Sequence, residues 1–175
     1  MTRRLLPLAV SSLSLALGCG VTFDVPVSGD TTVPHGNLVT CAVLPAFSGF
    51  GGFDISQTQA FQNQGATKQN LQSVKVQSLT LKAAAPAGAN LGFLQELDFY
   101  AEDPSGALPQ VRIAHAEAPS FAGAPTTVAM TLDGAELAPY AELPSMNLSA
   151  TAKLQSCPPA DTTVEADIVL AVTLK

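Results

Sequence analysis

The chain has 175 residues with fourteen acidic against eight basic side chains, a formal charge of −6. An acidic surface does not attract phosphate backbones or anionic lipid head groups, which excludes nucleic-acid binding as a function class. Hydrophobic residues make up 47% of the chain, enough for a folded core, but tryptophan is absent, so the usual landmark of an immunoglobulin core is missing.

The N-terminus reads Met1-Thr2-Arg3-Arg4, followed by an uncharged apolar run from Leu5 to Leu17 and then Gly18-Cys19-Gly20. A basic start, an apolar stretch and small residues at a cut point form the order of a secretory signal. The run is about a dozen residues, short of the roughly 20 that span a bilayer as a helix. Pro7 inside it also disfavours a long membrane helix. A buried core helix is the competing reading, but it would need a polar outer face that Leu5–Leu17 lacks.

Leu15-Ala16-Leu17-Gly18-Cys19 resembles the lipobox of bacterial lipoproteins, with Ala16 where that family more often carries leucine. The resemblance covers only the first twenty residues. It implies a signal peptide over 1–18, cleavage after Gly18, and diacylglyceryl and acyl lipid on Cys19, with no other cofactor. Cleavage by an ordinary signal peptidase after Gly18 or Gly20 is the alternative. Gly20 stands where an aspartate retains some lipoproteins in the inner membrane, so the resemblance implies a cell-envelope protein of the outer membrane. More than one acyl chain makes such an anchor stable, at about 0.8 kcal/mol per buried methylene.

From Cys19 on, the chain has one domain's worth of sequence, expected to be a single domain over 19–175. Arg3 and Arg4 precede Cys19, which leaves six basic against fourteen acidic residues and a formal charge of −8. With Cys19 assigned to lipid, Cys41 and Cys157 remain as a pair in an oxidising compartment. A disulfide between them closes a loop worth on the order of 4–5 kcal/mol in the chain-entropy model. Two separate buried thiols are the alternative.

Beyond Cys19 most of the sequence alternates with period two. Val21, Phe23, Val25 and Val27 predict a half-buried strand, and Pro26 places it at an edge. Ser28–Asn37, with Gly29, Pro34 and Gly36, reads as a loop, and Leu38–Leu44 as a second strand. Phe47, Phe50 and Phe53, spaced by glycines, form either a contact loop for a partner or sugar, or rings folded back over an open end of the core. Ser56-Gln57-Thr58-Gln59 has capping-box spacing, with Gly65 as the stop, and predicts a short helix near 57–64. Val74 and Val76 are out of phase with Leu79 and Leu81, which predicts a bulge or a strand changing sheets.

Asn90–Leu94 reads as a helical turn, and Leu97–Glu102 as a strand. Asp103-Pro104-Ser105-Gly106 is a turn with suitable residues at each position. Val111–Glu117, Thr127–Leu132 and Met146–Leu154 are further alternating runs, with Ala135–Leu143 a short helical link. The last run has the clearest pattern: Val164, Ala166, Ile168, Leu170, Val172 and Leu174 on one face. About eight short strands without a long amphipathic helix predict an all-β fold, an antiparallel two-sheet sandwich of immunoglobulin-like or jelly-roll-like type with one or two short helices.

No catalytic or metal-binding residues are assigned. His115, expected on the strand face of Val111 and Ile113, reads as a hydrogen-bonded rim histidine. His35 reads as a solvated loop residue. Ser48 lacks the G-x-S-x-G elbow. The glycines at 49, 51 and 52 do not make a dinucleotide loop. Nothing selects two catalytic carboxylates among Glu96, Asp98, Glu102, Asp103, Glu117 and Glu142. Glu102 with Asp103, or Asp133 with Glu136, could hold calcium, but neither forms an EF-hand loop. The expected function is a lipid-anchored, non-enzymatic structural or accessory contact module that meets the membrane through its anchor, with another envelope protein or a glycan as the candidate partner. Glycan or peptide binding is the alternative, and an envelope hydrolase the third reading.

Overall fold

The structure is a computed structural model that describes residues 20–37, 41 and 44–175. Its strands are β1 (Thr22–Val33), β2 (Leu71–Ala85), β3 (Leu94–Glu102), β4 (Val111–Glu117), β5 (Thr127–Ala129), β6 (Thr131–Leu132), β7 (Asn147–Leu154) and β8 (Thr162–Leu174). They form two antiparallel four-stranded sheets, β1-β8-β2-β5 and β6-β4-β3-β7. Three short helices join them: α1 (Gln59–Asn63), α2 (Ala118–Phe121) and α3 (Ala138–Ala141). The result is the expected all-β sandwich.

The connectivity separates the two expected types. An immunoglobulin sandwich pairs its first strand with the second. Here β1 pairs with the last strand, β8, along its whole length. Phe53 makes an isolated antiparallel bridge to Met146, which adds a rung beside β7. The chain thus passes from β1 to that rung in the other sheet, back to β2, across to β3 and β4, back to β5, across to β7 and home to β8. That alternation is jelly-roll-like.

The core lies between the sheets. The predicted apolar face of β8 is entirely buried, as are Val25, Val27 and Val33 of β1 and Leu79 and Leu81 of β2. Each such side chain contributes about 1.5–3 kcal/mol when removed from water. The phase slip in β2 is a bulge: its register against β8 shifts between Val76 and Ser78, so Gln77 is the extra residue. The strand stays in one sheet, and both apolar pairs reach the same core.

Several expectations are corrected. The predicted loop Ser28–Asn37 is strand as far as Val33, and Gly29 explains the misreading. The segment around Ser48 crosses close over β1 there, so a Cβ on Gly29 would lie 2.2 Å from the Ser48 carbonyl oxygen and 2.8 Å from the Phe50 ring. A glycine within a strand marks such a close approach as readily as a break. Of the predicted strand Leu38–Leu44, residues 38–40 and 42–43 lie outside the described residues. Cys41 itself donates its N–H to the Asn37 carbonyl at 3.1 Å, the i to i−4 pattern of a helix.

Thr127–Leu132 is one run in sequence but two strands in space: β5 pairs with β2 in one sheet and β6 with β4 in the other. Met130 makes the crossing, its N–H donating to the Leu79 carbonyl at 2.9 Å. Asn90–Leu94 is a turn closed by the Leu94 N–H on the Leu91 carbonyl, not a helix. The helix predicted at 57–64 is α1, with Thr58 rather than Ser56 as its cap: the Thr58 hydroxyl accepts from the Phe61 N–H. Ser56 belongs to a preceding 3₁₀ turn, Ile55–Gln57, capped by Asp54.

Candidate functional site

The glycine-spaced phenylalanines sit inside. Phe50 is fully buried and Phe47 nearly so, while Phe53 is half-buried against the same core. The Phe47 and Phe50 rings stack at 5.5 Å, and Phe99 of β3 meets them at 5.3 and 6.2 Å. Positive φ at Gly49 and Gly52 bends the segment so that its backbone reaches both sheets. The Ser48 N–H donates to Asp30 of β1 at 2.7 Å, and the Phe50 carbonyl accepts from Leu148 of β7 at 2.9 Å. These rings close the space between the sheets, the second of the two readings for Phe47, Phe50 and Phe53, although Phe53 keeps part of its surface and Phe47 lines a concavity. Because Phe50 is covered, it shares no surface groove with Tyr100.

Cys41 and Cys157, 116 positions apart in sequence, form a disulfide with Cα atoms 5.9 Å apart. It lies at the end of the sandwich where β1 finishes and β8 begins, since Val33 pairs with Thr162. At that same end His35 bonds Asp161 twice, through its N–H at 2.8 Å and its ring Nδ1 at 2.5 Å. Those two bonds hold the Asp161 carboxyl below its ordinary range, the backbone N–H contributing most. Both side chains are well exposed.

The second histidine belongs to a charged network that sequence reading missed. The β3–β4 register shifts between Phe99 and Tyr100, leaving Ile113 as an extra residue in β4. Ile113 and Ala114 are consequently both buried, and the phase beyond them is reversed. His115 therefore turns outward with Arg112 instead of sharing the Ile113 face. The Arg112 guanidinium reaches Asp133 at 3.0 Å and Asp98 at 3.2 Å, and His115 Nδ1 lies 3.2 Å from Asp133. Hydrogen bonding to Asp133 is the main cause that holds Arg112 above its ordinary pKa. The signal was Asp133, which the sequence offered only as a calcium pair with Glu136. Both histidines bond carboxylates, and no serine or cysteine hydrogen-bonds either ring among the described residues.

Two surface concavities bear on ligand binding. One, of about 410 Å³ on the outer face of the first sheet, is lined by Asp30, Ser48, Glu165 and Asp167 among others. The Ser48 hydroxyl donates to Asp30 there, and Lys82 stands 3.5 Å from Glu165. The other, of about 320 Å³, runs beside β7 and is lined by Leu44, Ala46, Phe47, Leu148, Glu102 and Asn147, with others. Glu102 is held by Gln110 and Ser149. Asp103 is held by Ser105, Ala107 and Leu108, so its oxygens are engaged within its own turn. Among the described residues no three His, Cys, Asp or Glu side chains are grouped so as to hold a metal ion.

No protein-family model matches the chain, and no characterised protein matches it significantly in sequence.

The opposite end of the sandwich adjoins the predicted lipidation residue. Cys19 lies just outside the described residues, and Gly20 is the first of them. Gly20 packs so tightly that a Cβ on it would lie 2.5 Å from the Leu174 carbonyl oxygen. The Val21 carbonyl accepts from the Leu174 N–H at 2.9 Å, and β1 begins at Thr22. Lys68 braces this end, donating to the carbonyls of Leu143 and Pro144 and pairing with Asp54 at 2.7 Å.

Proposed function

We propose that the protein is a lipid-anchored bacterial envelope protein, exported by residues 1–18 and acylated on Cys19, whose sandwich acts by contact with another envelope protein. The observation that carries this reading is the absence of any spacer. The lipobox-like Leu15–Cys19 is followed by Gly20, already packed on β8, and by β1 from Thr22. A lipid on Cys19 would fix the domain itself at the membrane surface. Gly20 at the sorting position favours the outer membrane.

His35, His115, Arg112 and Asp103 are each engaged by neighbours that hold the fold. Peptide or glycan binding is the second reading, favoured by the partly apolar concavity beside β7. In intact cells, crosslinking, detergent extraction and mass spectrometry of what is captured test the proposal. A reproducible envelope-protein partner supports it, and recovery of the protein alone turns the reading to ligands and a glycan or peptide array. The Cys19→Ser protein should lose its acyl mass and leave the membrane fraction. Retention there would defeat the lipoprotein reading.

A further inference from the structure

We infer that the sandwich stands end-on against the lipid headgroups, on the face built from Gly20–Thr22, Lys68–Asn70 and Lys175. This rests on the lipoprotein reading and adds to it which surface meets the bilayer. A tether between an anchor and a folded domain normally leaves orientation free, because a flexible linker of n residues reaches about 5–6 Å × √n. Here the anchored residue and the first packed residue are adjacent, with Cα atoms about 3.8 Å apart.

Three features make this end a surface for lipid. Val21 is exposed by 52%, the one exposed large hydrophobic side chain among the described residues, and it sits one residue from Gly20. Beside it, Lys175 donates its backbone N–H to the Asn70 carbonyl at 2.8 Å and its ammonium to the Gln69 carbonyl at 3.1 Å. Lys175 lines a concavity of about 340 Å³ with Lys68, Gln69 and Glu142; the Lys68 ammonium is taken up by Asp54 and the Leu143 and Pro144 carbonyls, which leaves Lys175 as the cation there for a headgroup phosphate. An exposed apolar side chain with a lysine at the same end suits the interface between acyl chains and headgroups.

The opposite end, with His35, Asp161 and the Cys41–Cys157 bridge, is carried away from the membrane. The strand β1 alone has twelve residues at about 3.3 Å each, so that end stands about 40 Å out. It is the end left free to meet a partner.

The test uses the full-length lipidated protein, added to preformed vesicles of phosphatidylethanolamine with some phosphatidylglycerol, and the soluble Cys19→Ser protein as reference. Amine acylation is read residue by residue by mass spectrometry. Lys175 should react several-fold more slowly on vesicles, while Lys82 and Lys153, far from this end, react as they do in solution. Inserting eight glycine and serine residues between Cys19 and Gly20 should restore the Lys175 rate. Equal Lys175 rates on vesicles and in solution, or protection of Lys82 instead, overturn the orientation although the anchor holds. Full-length protein that carries no acyl mass and does not bind vesicles overturns the anchor and the orientation with it.

Discussion

Replacing Cys41 and Cys157 together by alanine removes a covalent link across 116 residues and leaves the paired strands in place. Alanine is chosen because Cys41 is fully buried, and a serine hydroxyl there would add the separate cost of an unpaired polar group. In the chain-entropy model a loop of this size restrains the unfolded chain by about 5 kcal/mol at 25 °C. That is a third or more of the stability of a typical domain, about 5–15 kcal/mol. At about 2–4 °C per kcal/mol for a chain of this size, the midpoint should fall by about 10–20 °C. The assay is urea denaturation of the soluble Cys19→Ser form with and without the pair, under oxidising conditions. Freed of the bridge, the unfolded chain exposes more surface, so the slope of stability against urea should rise while native circular dichroism is unchanged. A loss under about 1.5 kcal/mol with an unchanged slope would refute the reasoning. It would mean that residues 41 and 157 are already close in the unfolded ensemble. Thiol titration of the denatured parent, expected to find no free thiol, separates this from a bond that never formed.

Three further outcomes follow from the packing. Phe50→Ala should lower stability by about 3–5 kcal/mol, because the emptied site lies between both sheets and Phe47 and Phe99 cannot both close it; a loss below about 1 kcal/mol in the same urea assay would mean that the rings are not core. Gly29→Ala should cost about 1–3 kcal/mol through contact with the Ser48 carbonyl, whereas Gly51→Ala, where nothing lies within 4 Å, should be nearly neutral; equal effects would contradict the close crossing over β1. Burial raises the pKa of Asp54, but its bonds to Lys68 and Ser56 prevail and hold it below the ordinary 3.8. Burial likewise raises Glu136, and bonds from Ser73, Val74 and Ala138 hold it below 4.5. Carboxyls depressed in the folded state contribute stability above their unfolded pKa values and lose it as pH falls through the folded ones, so the thermal midpoint should decline below about pH 4.5. Asp54→Asn should make that acid limb shallower, and an unaltered limb would remove Asp54 as a cause.

What could be read from sequence depended on how many residues vote on each feature. In β8 six apolar positions in one phase define the buried face, and the structure buries all six. In β2 two pairs of opposite phase suffice to locate the bulge near Gln77. In β4 the bulge at Ile113 is hidden, because valine, isoleucine and two alanines read as apolar in either phase. The outward turn of His115, and with it the Arg112–Asp133–Asp98 network, was therefore illegible. Gly29 and Met130 failed for another reason. Each is determined by a neighbour distant in sequence, Ser48 over β1 and Leu79 beside the crossing, and periodicity within a segment carries no trace of it.

The same distinction explains why an address is legible here and an activity is not. The proposed export and lipidation signals would be read by machinery that meets an extended N-terminus, so the features that suggest them sit side by side in Leu5–Gly20. A site that works by contact is assembled by folding from separate segments. The end that bears His35 and Asp161 takes one residue from the chain after β1 and the other from the approach to β8, 126 positions away. Among the described residues no buried polar side chain lacks a hydrogen-bond partner. On the proposed reading, selectivity would reside in exposed groups such as His35 and Asp161, at the end away from Cys19, and in the angle at which the domain is held. That angle is governed by Gly20, where any side chain would press on the Leu174 carbonyl. On the same reading Gly20 would join sorting and orientation in one residue: a larger side chain there would loosen the start of β1 and, with it, the direction in which the far end points.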